Sequence, residues 1–242
     1  MHDYLKWDEK NITDFDDKAI NALYHEGYVF TRLGRGIMHQ TRSVRIDLSK
    51  FSLSSENKRI LRKTEHIVIE GEDIPHQNYS WEIGKMAKDF YDTKFGPGTF
   101  SANKIKELLT DPENSSFNLL STFYDGTDKK CISYGDEEPY GKMLMQKLDA
   151  TTLALGYAIC YETFQFIHYS YPFYNLKKAP KSMGMGMMLR EILSAVQWGK
   201  QYVYLGSAQR PGDTYKLQFT GLEWFDGKKW CDDLEELKTI LE

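Results

Sequence analysis

Cysteine is scarce. Three residues in 242, Cys131, Cys160 and Cys231, lie scattered with no CxxC pair, which argues against a disulfide framework and against a thiolate metal site. No apolar run approaches membrane-spanning length, and nothing resembles a signal peptide, so the expectation is a cytoplasmic protein without a membrane partner. Positive charge is not in excess either: 31 Lys and Arg face 35 Asp and Glu, a net charge of −4. No global basic field advertises nucleic acid, DNA is not an expected partner, and any such contact needs a local patch. Short-period repeats and low-complexity tracts are absent. What is present is an ordinary globular balance, 41% apolar and 27% charged, with a high aromatic share of 14% that includes 16 Tyr. Such a share suits a sheet-rich core or a pocket that stacks flat groups.

One stretch organises the rest. From Ala179 to Gly206 the sequence reads as a glycine-containing turn, an amphipathic helix and a short apolar strand. Gly184 and Gly186 are expected to take positive φ and leave the backbone amides approachable. Met188, Leu189, Ile192, Leu193 and Val196 then share one helical face, Gly199 stands where a C-terminal glycine cap belongs, and Tyr202–Leu205 reads as a buried strand. Amides at a helix N-terminus favour an anion, a diphosphate or a carbonyl oxygen becoming negative. Glycines that serve only strand–helix packing are the alternative.

Along the chain, residues 1–14 read as an entry segment. Asp14 is expected to cap a helix carrying Ala19, Ile20, Leu23 and Tyr24 that stops at Gly27. Tyr28–Thr31 and Val44–Leu48 read as strands around a loop with Gly34 and Gly36, and Ser54 or Ser55 as the cap of a basic helix, Glu56–Lys63. Between Tyr28 and His66 nine basic residues face three acids, a local excess of six that would attract phosphate. A solvated helix face balanced by acids elsewhere is the competing account. Residues 70–80 read as loop, Trp81–Tyr91 and Ser101–Leu109 as helices, and Phe117–Tyr124, Lys130–Tyr134, Met143–Leu148, Leu153–Tyr161 and Phe164–Tyr171 as strands. A short helix or turn over Asp213–Leu222 leads to an edge strand near Trp224, and Asp232–Leu241 closes the chain with leucines at helical spacing.

Strand, loop, Lys181-Ser182-Met183-Gly184-Met185-Gly186, helix, strand resembles the order of GNAT acyltransferases, with Lys181 where their loop carries Arg or Gln. Tyr215 to Leu222 resembles that superfamily's late Tyr-containing helix. A narrower resemblance is to arginyl-tRNA–protein transferases. It rests on Ser182-Met183-Gly184, Leu189-Arg190-Glu191-Ile192, Tyr204-Leu205-Gly206, Pro211 and Tyr215-Lys216, with Tyr169-Ser170-Tyr171-Pro172 upstream. It also rests on Arg45-Ile46-Asp47-Leu48-Ser49-Lys50-Phe51 and Lys58-Arg59-Ile60-Leu61-Arg62-Lys63. It covers about residues 28–63 and 143–230. The cysteine cluster usual before the Arg-x-x-x-x-x-Phe segment is missing here, so no metal role is carried over.

The resemblance implies an α+β fold of GNAT type, a mostly antiparallel mixed sheet flanked by helices. It has an N-terminal α+β region over 1–140, a degenerate GNAT-like unit holding the basic segment 28–66, and a C-terminal acyltransferase domain over 141–242. It implies an aminoacyltransferase moving an arginine-like group from aminoacyl-tRNA, its co-substrate, to the N-terminal α-amine of a protein or peptide, without a tightly bound cofactor. Tyr215 and Gly184 are the expected catalytic positions. Lys181, Ser182, Met183, Met185, Gly186, Tyr171, Tyr204 and Lys216 would bind the acyl donor or substrate, the two tyrosines by stacking the terminal adenine. Arg45, Lys50, Lys58, Arg59, Arg62 and Lys63 would meet tRNA. Glu162 and His168 are further titratable groups on the central strands, each a possible base or a satisfied core residue. An acetyl-CoA-dependent N-acetyltransferase and a non-catalytic binder of peptide N-termini are the alternatives.

Overall fold

Local chemistry sets the helix starts. Ser54 accepts from the Asn57 N–H while the Asn57 side chain answers back, a capping box that opens α2 (Ser55–Lys63). Ser101 caps α4 (Ala102–Thr110) by accepting from Lys104 N–H. Asp16, two residues later than expected, caps α1 (Asp17–His25) with two such bonds. The remaining helices are α3 (Trp81–Phe95), α5 (Met183–Gln197) and α6 (Leu234–Leu241). Gly199, at φ +68°, ends α5 as its position predicts. These positions come from a computed structural model, which describes residues 5–126 and 154–242. The strands expected at 130–134 and 143–148, and the division expected near residue 140, lie outside the described residues.

The strands are β1 (Asp8–Asn11), β2 (Tyr28–Phe30), β3 (Ile37–Gln40), β4 (Ser43–Asp47), β5 (Ile67–Asp73), β6 (Leu119–Asp125), β7 (Ala154–Glu162), β8 (Phe166–Tyr174), β9 (Tyr202–Ser207), β10 (Leu222–Phe225) and β11 (Trp230–Cys231). Four of them were not expected: β1, β3, most of β5 and the two-residue β11. The first three read as entry, loop and loop because β1 is polar, β3 follows directly on the loop of Gly34 and Gly36, and β5 ends in Glu-Gly-Glu-Asp. Partner strands decide their state: β1 pairs β3, and β5 pairs β6 along its whole length. The helix–strand run centred on α5 also begins earlier than its hydrophobic period implies.

Eight strands form one sheet in the order β11-β10-β4-β9-β8-β7-β6-β5, and β1, β3 and β2 form a small second sheet. Every neighbour in the large sheet is antiparallel except β8 and β9, which run parallel and are joined by the α5 crossover. Parallel neighbours need such a crossover, whereas antiparallel ones need only turns. Apolar layers cover both faces. Ile167, Tyr169, Val203 and Leu205 meet Met187, Met188 and Ile192 of α5 on one face. Phe166 and Tyr204 meet Ile20 and Tyr24 of α1 and residues of α3 and α4 on the other. Alternate residues of β8 and β9 thus point to opposite layers. The fold is mixed α+β, its large sheet mostly antiparallel and flanked by helices, as expected. Among the described residues no helix is long and apolar enough to cross a membrane.

Candidate functional site

Strands β8 and β9 stay together for three residues only. Phe166, Ile167 and His168 pair with Tyr202, Val203 and Tyr204. Beyond that point β8 follows β7, with Tyr171 opposite Ile159 and Tyr174 opposite Gly156. Meanwhile β9 follows β4, with Ser207 opposite Ser43. The β8–β9 ladder ends at His168 and Tyr204 while each strand keeps its partner on the other side, which leaves an opening between Tyr169–Pro172 and Leu205–Ser207. Helix α5 starts on one side of this opening, and the 3₁₀ helix Pro211–Gln218 lies beside it. Gln218 joins the two, donating through Nε2 to the Tyr215 carbonyl at 2.6 Å and touching Met185 Sδ at 3.6 Å.

The expectation of positive φ at Gly184 and Gly186 is corrected. Both lie inside the first turn of α5, and the left-handed residue is Ser182, at φ 70°, the N-cap, whose hydroxyl makes no capping bond. Gly186 is buried, and a Cβ there would stand 2.8 Å from Thr64 Oγ1. Its glycine serves the approach of α2's C-terminus. Gly184 is half-buried, and a Cβ would meet the Tyr174 ring at 3.4 Å, an ordinary contact. Of the four amides from Met183 to Gly186, two are taken: Met183 donates to Pro180 O at 3.2 Å and Gly186 to Ser182 O at 2.8 Å. Gly184 and Met185 have no backbone acceptor among the described residues, as the first turn of a helix requires. Met183 itself is buried, its side chain in the core.

Arg190, one turn after Gly186, is fully buried. It donates to Ile67 O at 2.7 Å, Thr64 Oγ1 at 2.9 Å and Gly186 O at 3.2 Å, and also to the Thr64 carbonyl. One guanidinium therefore fastens the start of α5 to the end of α2 and to β5. The spacing of Gly186 and Arg190 was visible in the sequence; their shared partner Thr64, more than a hundred residues upstream, was not.

The 3₁₀ helix contributes a tyrosine and a lysine. Tyr215 keeps 43% of its surface exposed. The protein around its hydroxyl, with Asp213 nearby, pushes the phenol up to about 12. Lys216 is buried and donates from Nζ to the Ser207 carbonyl at 2.7 Å, bracing the end of β9. Burial, with Arg210 near, lowers its pKa, while Asp213 opposes that shift. Tyr171 is half-buried, edge-on to Phe100 and Phe117 at 5.3 Å each. The wall continues through Tyr91 and Phe95, and carries Arg32 over Phe100 at 4.2 Å and Arg210 over Phe95 at 6.0 Å.

Several expected contacts are placed elsewhere. Tyr204 is 1% exposed, enclosed by Tyr24, Phe166 and Trp230, so no ring face is left for a base. Arg45 is buried on β4, bonded through Nε and Nη2 to Glu223 at 2.9 and 2.8 Å and stacked on Tyr202 and Trp230. It belongs to the core and is withdrawn from the phosphate-facing set. Lys50 is exposed but pairs with Glu223 at 2.8 Å and Asp47 at 3.2 Å, and Arg59 pairs with Glu56. Lys58, Arg62 and Lys63 are exposed on α2, whose end abuts the start of α5, and Lys177, Lys178 and Lys181 are exposed on the loop before α5. Glu162 stands at the far end of β7, paired with Lys200 at 3.1 Å and away from the opening.

The architecture defined by these elements is a mixed sheet opened at its parallel pair, with a helix N-terminus at the opening. No family model matches the chain. Among curated proteins it is similar to an aspartate/glutamate leucyltransferase of Ruegeria pomeroyi, 23% identical over 224 residues that cover 88% of this chain and 72% of that protein. Similar solved structures include L-PGS from Bacillus licheniformis, 14% identical with a TM-score of 0.43, covering 91% of this chain and 69% of that one. Another is a GCN5-related glucosamine N-acetyltransferase region of a fungal multi-domain GH3 β-N-acetylglucosaminidase, 11% identical with a TM-score of 0.44, covering 89% of this chain and 23% of that one.

Proposed function

We propose that the opening between β8 and β9 is an acyl-transfer site, in which the N-terminal α-amine of a protein or peptide attacks the ester carbonyl of an aminoacyl-tRNA. The reading is carried by the coincidence of Gly184 and Met185 amides that have no backbone acceptor among the described residues with the parted strands, in a chain similar to an enzyme named as an aspartate/glutamate leucyltransferase. The amine nitrogen bonds to the carbonyl carbon, the carbon–oxygen ester bond breaks, the nitrogen loses a proton and the ribose oxygen gains one. An α-amine has a pKa of about 7.7–8.0, so a usable neutral fraction exists without a strong base. The protein's task is orientation, stabilisation of the oxyanion and a proton for the leaving oxygen.

The two α5 amides point toward developing negative charge, reinforced by the helix dipole. Tyr215, its phenol raised to about 12, stays protonated at neutral pH and supplies the proton. Lys58, Arg62, Lys63 and Lys181 rim the start of α5 and face the tRNA backbone, with Ser182 and Met185 beside the ester and Tyr171 toward the acceptor. Lys216, with Arg32 and Arg210 on the aromatic wall, suits an acidic first residue on the acceptor. The transferred group is an amino acid, with leucine and arginine as the donors to compare.

A transfer assay tests this: leucyl-tRNA, arginyl-tRNA and acetyl-CoA are each offered with peptides that begin in Asp, Glu or Ala. Incorporation from an aminoacyl-tRNA, preferring acidic termini, supports the reading. Incorporation from acetyl-CoA alone replaces it with N-acetylation, and peptide binding without turnover from any donor makes the protein a binder.

A further inference from the structure

His168 is the last residue of β8 paired with β9, so it stands where the opening begins. Its ring is 1% exposed and lies on the sheet face away from α5, against Tyr24 and Phe117, with Tyr204 beside it across the strand pair. Its Nδ1 lies 2.9 Å from the Tyr24 hydroxyl. That hydroxyl already accepts from Phe30 N–H at 3.3 Å and is itself fully buried, so its own proton needs an acceptor. Nδ1 is the acceptor in reach. The hydrogen-bond ledger thus leaves Nδ1 bare of hydrogen and puts the ring proton on Nε2.

Nε2 has no partner. Facing it is Gly206, at φ +73°, where an added Cβ would come within 3.9 Å. Its missing side chain leaves room at the apex of the opening. The nearby cation, Lys216, donates to Ser207 O and offers Nε2 no acceptor. The titratable groups around the ring are Tyr24, Tyr161, Tyr171 and Tyr204, all phenols near Tyr24, together with Lys216. Among the described residues no carboxylate balances an imidazolium here, and burial with Lys216 nearby pulls the ring down to about 3. A buried donor without an acceptor is unfavourable, and a bound substrate oxygen would relieve it.

We propose that His168, as a neutral imidazole with its proton on Nε2, donates to the first carbonyl oxygen of the acceptor chain and so positions the α-amine against the ester from the face opposite α5. This rests on the transferase reading. A neutral donor suits the place, because an imidazolium would repel the ammonium form of the arriving amine.

Long-range proton–nitrogen spectra of ¹⁵N-histidine-labelled protein test the assignment directly. Expected is a neutral ring protonated at Nε2 from about pH 8 to about pH 5, with an Nε2 resonance that moves on titration with an Asp-initiated peptide. An alkene isostere of the first peptide bond, which lacks that oxygen, should leave Nε2 unmoved and bind about tenfold more weakly. His168→Phe should raise the acceptor KM about tenfold and leave the donor KM unchanged, and His168→Gln, which keeps a donor, should recover part of the loss. A proton on Nδ1, an imidazolium at pH 6, or a bound peptide that leaves Nε2 unmoved overturns the proposal while the transferase reading stands. Absence of binding by any acceptor peptide overturns both, whatever the tautomer.

Discussion

Gly184 and Gly186 stand two residues apart in one helical turn, yet opposite outcomes are expected for alanine at the two sites. At Gly184 the new Cβ meets only the Tyr174 ring at contact distance. Gly184→Ala should gain about 0.5 kcal/mol from reduced freedom in the unfolded chain. At Gly186 the Cβ falls 2.8 and 2.9 Å from Thr64 Oγ1 and Cγ2. Gly186→Ala should lose about 1–3 kcal/mol to overpacking. Urea midpoints at constant slope distinguish the two. Arg190→Leu should cost about 3 kcal/mol, because it takes a buried charged donor away from the Ile67 and Thr64 carbonyls and the Thr64 hydroxyl, leaving that hydroxyl and the Thr64 carbonyl only their bonds to Ile60 O and Ile67 N–H. Glu191 offers a pH signature. It is 1% exposed, lines a cavity of about 50 Å³ with Ser121 and Ser194, and burial pushes its carboxyl up to about 7 from an ordinary 4.5. The folded state holds this proton more tightly than the unfolded state does. Its contribution is therefore fully present below about pH 4.5 and is lost as pH rises through 7. Unfolding midpoints of Glu191→Gln should fall less than wild type across that window, with the variant more stable at pH 8 by about 3 kcal/mol at most.

At the scale of elements, α2 and β4 divide the basic residues of the segment 28–66 between two roles. On α2 the side chains of Lys58, Arg62 and Lys63 leave the protein, whereas Arg45 on β4 points into it. If tRNA binds, Arg62→Glu with Lys63→Glu should weaken it at low salt and flatten the salt dependence by about one unit of slope per lost phosphate contact. Arg45→Ala should leave that slope alone and cost about 2 kcal/mol of stability, since Glu223 keeps Lys50 but loses its buried partner. Filter binding across a salt series and chemical unfolding separate the two. The sequence could not make this division, because a charge count says nothing about which strand face a residue occupies. Capping residues were more legible: Ser54, Ser101 and Gly199 act within a few residues of chain, and all three stand where read. Strands β1 and β3 were not, since their pairing joins segments about thirty residues apart through polar sequence.

For the whole molecule the large sheet is the unit. Strand β4, from the N-terminal part, sits between β9 and β10 of the C-terminal part, and β6 lies against β7. Among the described residues the two regions of chain therefore contribute strands to one sheet. Unfolding followed by tryptophan fluorescence and by far-ultraviolet circular dichroism should give coincident single transitions. Two resolved transitions would instead support independent units on either side of residue 140.

By itself the sequence determined the helix and strand over residues 179–206 and the boundaries set by Ser54, Ser101 and Gly199, while the α+β class rested on the family resemblance. The helix, the strand and the boundaries follow from periodicity or from bonds between near neighbours. The tertiary structure alone decided that Gly186 is pressed against Thr64, that Tyr204 and Arg45 are core, and that His168 Nε2 is left without a partner among the described residues where β8 and β9 part. These outcomes depend on which distant strand claims each partner, and pairing of that kind leaves no local mark in the chain.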